Sequence, residues 1–132
     1  MNSTGKTAAQ GAWGTVEWAW DHRGRLPAKE FVASLSPDDQ AKLLALFKLL
    51  AEQGKIRNTE KFKRVEGTGL FEFKSFQLRL LGDFRPNRRF LVAHGLHKKK
   101  DKLSRGDIDT AIRILSENDI QERTSEREGT QA

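Results

Sequence analysis

Residues 70–96 read LFEFKSFQLRLLGDFRPNRRFLVAHGL, and the alternation of apolar and polar residues along them decides the fold. In 70–75, Phe71 and Phe73 fall on one face of a strand and Glu72 and Lys74 on the other. In 76–84, Phe76, Leu78 and Leu80 share one face, while Gln77, Arg79, Leu81 and Asp83 share the opposite one. The segment RPNRR at 85–89 carries a Pro-Asn turn signal. The run FLVAHGL at 90–96 is the most apolar of the three, which places it centrally in a sheet. Three consecutive strands so spaced form an antiparallel meander.

Upstream, the spacing predicts a helix over 37–53. Ser36 supplies the N-cap, Pro37 suits the first helical position, Asp38 and Asp39 complement the positive end of the dipole, and Gly54 supplies the stop. Leu43, Leu44, Leu46, Phe47, Leu50 and Ala51 recur at three- and four-residue spacing, so one broad face packs on the sheet. Residues 13–20, WGTVEWAW, read as a strand whose tryptophans serve the core. A turn through Gly24 follows, and beyond Pro27 a short helical piece contributes Phe31, Val32 and Leu35. Residues 58–66, NTEKFKRVE, predict one or two helical turns with Phe62 and Val65 inward, and Gly67 and Gly69 bracket a tight turn after them. Downstream, residues 98–102 leave the last strand as a basic loop. Ser104 and Asp107 then form a capping-box pattern for a closing helix with Ile108, Ala111, Ile112 and Leu115.

The expected fold class is α+β: a small antiparallel sheet with helices packed on one face and a basic concave face opposite. The 132 residues, 36% hydrophobic, suit one core. The expected division is a flexible N-terminus over 1–12, one domain over 13–118, and a disordered polar tail over 119–132. Ile120 is the one large apolar residue of that tail, too little to offset the entropy of ordering it. The absence of cysteine removes disulfides, thiolate catalysis and cysteine-ligated zinc together and suits a reducing compartment, so a cytoplasmic location is expected. No apolar run is long enough to span a bilayer, and no membrane partner is expected.

With 24 Lys+Arg against 18 Asp+Glu, the chain carries a formal charge of +6, which favours a polyanionic partner through counterion release. The cations concentrate in the second half: Lys61, Lys63 and Arg64, then Arg85, Arg88 and Arg89, then Lys98, Lys99, Lys100 and Lys102. Two other signals carry no function. Gly5-Lys6-Thr7 lacks the upstream glycine and strand of a phosphate-binding loop. Asp107 and Asp109 are explained by helix capping, so neither metal nor any other cofactor is expected.

Four stretches resemble the RelE/ParE toxin superfamily, and within it the HigB-like, phage-derived branch of type II toxin–antitoxin systems. Residues 62–72, FKRVEGTGLFE, resemble the segment in which a short helix leads into a "glycine, then Leu/Tyr, Glu, Leu, Arg" strand, with Lys74 near the family's basic position. Residues 77–81, QLRLL, resemble the "tyrosine, Arg, aliphatic" strand, with Leu78 in place of the tyrosine and Arg79 at the arginine that contacts the scissile phosphate. Residues 93–99, AHGLHKK, resemble the "Leu, His, Gly, Phe, any residue, Lys, Lys" signature of the HigB-like branch. Residues 107–115, DIDTAIRIL, resemble its closing helix.

The resemblance implies a ribosome-dependent mRNA endoribonuclease that inhibits translation. It implies an antitoxin partner with a helix-turn-helix DNA-binding domain, and mRNA on the ribosome as substrate. Metal-free cleavage needs a base for the 2'-hydroxyl, cations for the phosphorane and an acid for the departing 5'-oxygen. Arg79 is the expected phosphate clamp; its bland alternative is a surface salt bridge with Glu72 or Asp83. One of Lys98 and Lys99 reaches the phosphate while the other binds flanking backbone. His94 and His97 are the side chains whose ordinary pKa suits proton transfer, though a histidine inside an apolar strand also serves as a hydrogen-bonded core residue. Lys74, Gln77, Arg88, Arg89, Lys100 and Lys102 are expected to bind RNA. The chain has no tyrosine, whereas many nuclease members place one after the basic loop. Two rival readings share the fold: a ParE-like gyrase poison and a non-catalytic RNA-binding or phage regulatory protein.

Overall fold

The alternation at 70–96 becomes the middle of a six-stranded sheet. In the computed structural model, backbone is described for residues 5–99 and 102–131 and side chains for these up to residue 126. The strands are β1 (Thr7–Gln10), β2 (Thr15–Trp18), β3 (Phe62–Val65), β4 (Leu70–Ser75), β5 (Leu78–Arg85) and β6 (Arg89–His97). The helices are α1 (Pro27–Ala33), α2 (Pro37–Gln53) and α3 (Arg105–Gln131). The spatial order is β1-β2-β6-β5-β4-β3, antiparallel throughout except that β2 runs parallel to β6. The fold is thus α+β, and β6 is an interior strand as its apolar sequence requires.

Two cores sandwich the sheet. On one face α1 and α2 enclose Val16, Trp18, Leu43, Phe47, Leu50, Phe62, Phe73, Leu78, Leu80 and Phe90. On the other, α3 seats Ala111, Ile114 and Leu115 on Leu70, Leu81, Leu91 and Ala93. The expectation that helices cover one face is corrected here. The closing helix is amphipathic, and its apolar stripe finds the second set of aliphatic residues that strict alternation leaves on the far side of β4–β6.

Local chemistry explains the helix ends. Ser36 accepts a hydrogen bond from the Asp39 N–H, and Gly54 ends α2 at φ 73° with Trp13 packed where a side chain would stand. Ser104 Oγ accepts from the Asp107 N–H at 3.0 Å, the N-cap bond expected from the sequence, and the Asp107 carboxylate answers through the serine hydroxyl, which donates to Oδ2 at 2.8 Å.

Several boundaries move. Residues 62–65, expected as helical turns, are an edge strand, because Phe62 gains more by stacking beside Phe71 and Phe73 than a four-residue helix would offer. Phe76 leaves the alternation to sit in a two-residue turn at φ 54°. Residues 7–10, expected to be flexible, pair with β2 as β1. The segment after Asn118, expected as a disordered tail, continues α3, and its first turns are tied down. Asp119 accepts from Arg85 Nε and Nη2 at 3.0 and 3.1 Å, and the Gln121 amide donates to the carbonyls of Asp21 and His22. Composition underestimated this segment because its ordering rests on ion pairs with the sheet rather than on apolar burial.

Behind β2 lies a closed polar network. Lys6 is buried and donates from Nζ to the Trp18 carbonyl at 2.7 Å and to Asn118 Oδ1 at 3.0 Å. Burial pushes the Lys6 ammonium below its ordinary pKa against the pull of Glu122 and Glu17. Arg89 bridges the same two carboxylates: Nη2 lies 2.9 Å from Glu17 Oε1 and also bonds Glu122.

Candidate functional site

The α3 face of the sheet is only half covered, and what remains open is laid out by register. One row across the strands is Lys63, Glu72, Leu81 and His94; the next is Lys74, Arg79 and Leu96. Helix α3 begins at Arg105, over the β6 end of these rows, and leaves the β3–β4 end bare. The result is a cleft of about 410 Å³ lined by Lys63, Arg64, Glu66, Glu72, Lys98, Lys102 and apolar neighbours. A second hollow of about 230 Å³ adjoins it, lined by Leu96, His97, Lys98, Lys99, Lys102, Ser104 and Asp107.

Lys98 lines both hollows, whereas Lys99 reaches only the second and is exposed. Two residues beyond Leu96 on an alternating strand, Lys98 returns to the α3 face, and its N–H donates to the Gln77 carbonyl at 2.6 Å. Lys74 is directly opposite Arg79 in the register and half-buried. Partial burial, reinforced by the charges of Lys63, Arg79 and Lys98, holds the Lys74 ammonium below its ordinary pKa; Glu72 pulls the other way. A lysine made easier to deprotonate by crowded cations is a chemically useful group.

Arg79 is held more tightly than a surface residue. Its side chain is 9% exposed, its Nε lies 3.3 Å from Glu72 Oε1, and its Nη1 donates to the carbonyls of Phe76 at 2.6 Å and Leu78 at 2.9 Å. Neither Nε nor Glu72 Oε1 completes a well-aligned hydrogen bond among the described residues. The pairing with Glu72 that the sequence allowed is present, but buried beside the cleft, which Glu72 lines, instead of facing solvent.

The two histidines part company. A register shift between Leu81 and Gly82 leaves Ala93 opposite no residue of β5, so both Ala93 and His94 turn to the α3 face. Gly82 permits it: a Cβ there would stand 2.0 Å from the Leu91 carbonyl oxygen. His94 Nε2 meets Asp107 Oδ1 at 2.8 Å, which fastens α3 to β6. His97 points to the other face, exposed, with its ring edge-on to Phe31 at 5.5 Å. The bulge was legible in the isolated glycine within an otherwise apolar strand.

Burial opposes the charge on Asp107, but the bonds to His94 and Ser104 outweigh it and hold its pKa below the ordinary carboxylate value. Because the folded pKa is the lower one, the stability contributed is complete above about pH 4 and is lost as pH falls through the depressed value. Melting temperatures measured from about pH 5 down to about pH 2 should therefore fall more steeply for the parent than for Asp107→Asn. Parallel curves would show that this carboxylate adds nothing to the acid sensitivity.

The other expected site residues are scattered. Gln77 is exposed in the turn beside Phe76. Lys102 stands at the cleft rim, and Lys100 lies outside the described residues. Arg88 and Arg89 occupy the opposite end of β6 from His97, roughly 26 Å away at the rise of an extended strand. Arg88 is exposed in a turn at φ 59°, and Arg89 is engaged by Glu17 and Glu122. Those two therefore do not share a site with Lys98. Lys63 and Glu72 do, although neither was singled out; their register opposite each other across β3 and β4 was hidden while 62–65 was read as helix.

A family-level comparison fits this arrangement. The family described as "Phage derived protein Gp49-like (DUF891)" matches residues 30–116. The chain belongs to this family. It is a toxin-like family of toxin–antitoxin systems. The Gp49-like match spans the second half of α1, α2, the strands β3 to β6 and the first part of α3, so every cleft residue named above lies inside it. Strands β1 and β2 and the continuation of α3 beyond residue 116 lie outside. A search of curated proteins found no match to the chain. Among the described residues, no helix is long and apolar enough to cross a membrane.

Proposed function

We propose that the chain is the toxin of a toxin–antitoxin pair and cleaves mRNA on the ribosome in the HigB-like manner, without a metal. The observation that carries this reading is the gathering of Lys63, Lys98 and Lys102 around the cleft, with Lys74 and Arg79 in the adjoining register row. A phosphodiester in that cleft would meet several cations. In the reaction the 2'-oxygen forms a bond to phosphorus, the bond from phosphorus to the 5'-oxygen breaks, and the products are a 2',3'-cyclic phosphate and a 5'-hydroxyl. Arg79 would turn its unsatisfied Nε and remaining donors on the developing dianion. Lys74, with its depressed pKa, is the group best suited to accept the 2'-proton, and Lys98 to return one to the leaving oxygen. His97, whose ring lies on the other face against Phe31, would have to turn to serve as the alternative proton donor, while His94 already has Nε2 committed to Asp107. Lys99 and Lys102 would hold flanking phosphates. The antitoxin, carrying a helix-turn-helix domain, would neutralise the toxin, and both would act in the cytoplasm.

Induction in cells should arrest growth and create new mRNA 5' ends bearing hydroxyls; arrest with gyrase–DNA cleavage complexes and intact mRNA would establish the gyrase reading instead. The buried Glu72 partner of Arg79 and the lack of tyrosine favour a second reading, RNA binding without cleavage, for which ribosome association without new 5' ends is the signature. Under both RNA readings, association should weaken log-linearly with salt. Replacing Lys98, Lys99 and Lys102 by Ala should reduce that slope by about 2, at roughly 0.7 to 0.9 per lost phosphate contact. Folding stability should move by no more than about 0.5 kcal/mol per exposed site. An unchanged slope in ribosome co-sedimentation would take these lysines out of the interface.

A further inference from the structure

The turn between β4 and β5 holds a feature that cleavage chemistry does not use. Phe76 is 74% exposed, the most exposed of the large apolar side chains described, and its backbone sits at φ 54°, where a bulky residue is strained and glycine or asparagine is the ordinary choice. The turn is nonetheless rigid. Arg79 Nη1 grips the Phe76 carbonyl, and the Lys98 N–H grips the Gln77 carbonyl, each at 2.6 Å. Of the two residues that hold the turn, Lys98 lines the cleft and Arg79 is paired with Glu72, which lines it too. The Lys42 ammonium lies 4.6 Å from the centre of the Phe76 ring, over one face, which leaves the other face open.

A phenyl ring fixed in water forgoes the free energy that burial would return, so a ligand that covers it gains affinity. The surroundings decide which ligand. Lysines are depleted from the cores of protein–protein interfaces. Here Lys42, paired with Asp38, stands over the ring from α2 on the sheet face opposite the cleft, Lys74 lies on β4, and Lys98 and Lys99 follow the end of β6, so cations flank the turn from both faces of the sheet. An open aromatic face between such cations suits a polyanion with π faces of its own. We infer that Phe76 is a base-stacking platform for single-stranded RNA, holding the base of a nucleotide next to the phosphate bound in the cleft. The assignment rests on the RNA-cleaving reading above and adds a nucleobase subsite to it. Because stacking accepts every base, it confers grip and register rather than sequence preference.

The test uses the full chain and a short fluorescein-labelled single-stranded oligoribonucleotide, 2'-O-methylated so that it cannot be cut, with a counterpart whose riboses lack bases. Fluorescence anisotropy on the parent should show tighter binding of the base-bearing probe. Phe76→Asn, which relieves the positive φ, and Phe76→Leu, which keeps an apolar side chain, should each weaken that binding by about 5- to 150-fold, the range of one aromatic–base stack. Both should leave the abasic probe's affinity unchanged, and Phe76→Trp should restore the preference for bases. Equal affinity of the parent for the two probes overturns the inference even if the variants misfold. Equal loss on both probes, or no loss on either, also overturns it and assigns the ring to the turn's structure or to a protein contact. Failure of the parent to bind any RNA removes the RNA reading as a whole, a result distinct from failure of the stack alone.

Discussion

Arg79→Ala is expected to cost about 3 to 5 kcal/mol of folding stability, far more than a surface arginine would. The substitution leaves the Glu72 carboxylate, 7% exposed, without its cation, and strips a donor from the carbonyls of Phe76 and Leu78. Urea denaturation measures this directly; a loss below about 1 kcal/mol would mean that the pair is solvated and weak. Loss of toxicity in Arg79→Ala therefore says little about chemistry, because a destabilised toxin is silent for another reason. Removing both charges separates the two. Apolar pairs often replace a buried ion pair at no net cost, so Arg79→Met with Glu72→Leu should recover most of the parental stability. That folded double variant should cleave ribosome-bound mRNA about a hundred- to a thousandfold more slowly, the usual effect of deleting one preorganised donor. Cleavage at the parental rate would remove Arg79 from the transition state and leave it as the clasp of the β4–β5 turn.

The second large effect belongs to the other core. Phe73 is fully buried, with ring centres 4.8 Å from Phe47, 4.8 Å from Phe62 and 5.4 Å from Phe90, so it touches α2, β3 and β6 at once. Phe73→Ala should cost about 3 to 5 kcal/mol, since three partners fixed on three elements cannot all close the cavity. Phe73→Leu should cost appreciably less. Equilibrium denaturation of the pair checks this, and a loss under about 2 kcal/mol for Phe73→Ala would show that the cavity collapses.

The meander, α2 and the capping of α3 were legible because each rests on a local pattern: alternation, helical spacing, or a serine three residues before an aspartate. What escaped notice was set by distant partners. Residues 62–65 carry an ambiguous pattern that only the phenylalanines of β4 resolve into a strand. Asp119 and Glu122 look like tail residues until Arg85 and Arg89 are set beside them. In the candidate site, Arg79 and Lys74, with one of Lys98 and Lys99, were legible as cations on one face. That His94 and His97 face opposite ways follows from their odd spacing; which face each takes was not legible, because the extra residue opposite Gly82 puts Ala93 and His94 on the same side. The choice between Lys98 and Lys99 likewise waited on the register that follows that bulge.

The pairing of β2 with β6 joins Val16 to Phe90 across more than half of the chain. Strands so far apart in sequence make a slow-folding topology, since a large loop must close before the contact is rewarded. On the ribosome, at about 5 to 20 residues per second, β2 waits several seconds for the strand it lies against. Every residue proposed for the cleft belongs to β3 or later elements, and the floor is closed by β6 and α3. The nascent chain thus has no assembled cleft until β6 and the start of α3 have left the exit tunnel, so a protein with the proposed activity would spare the ribosome that is making it.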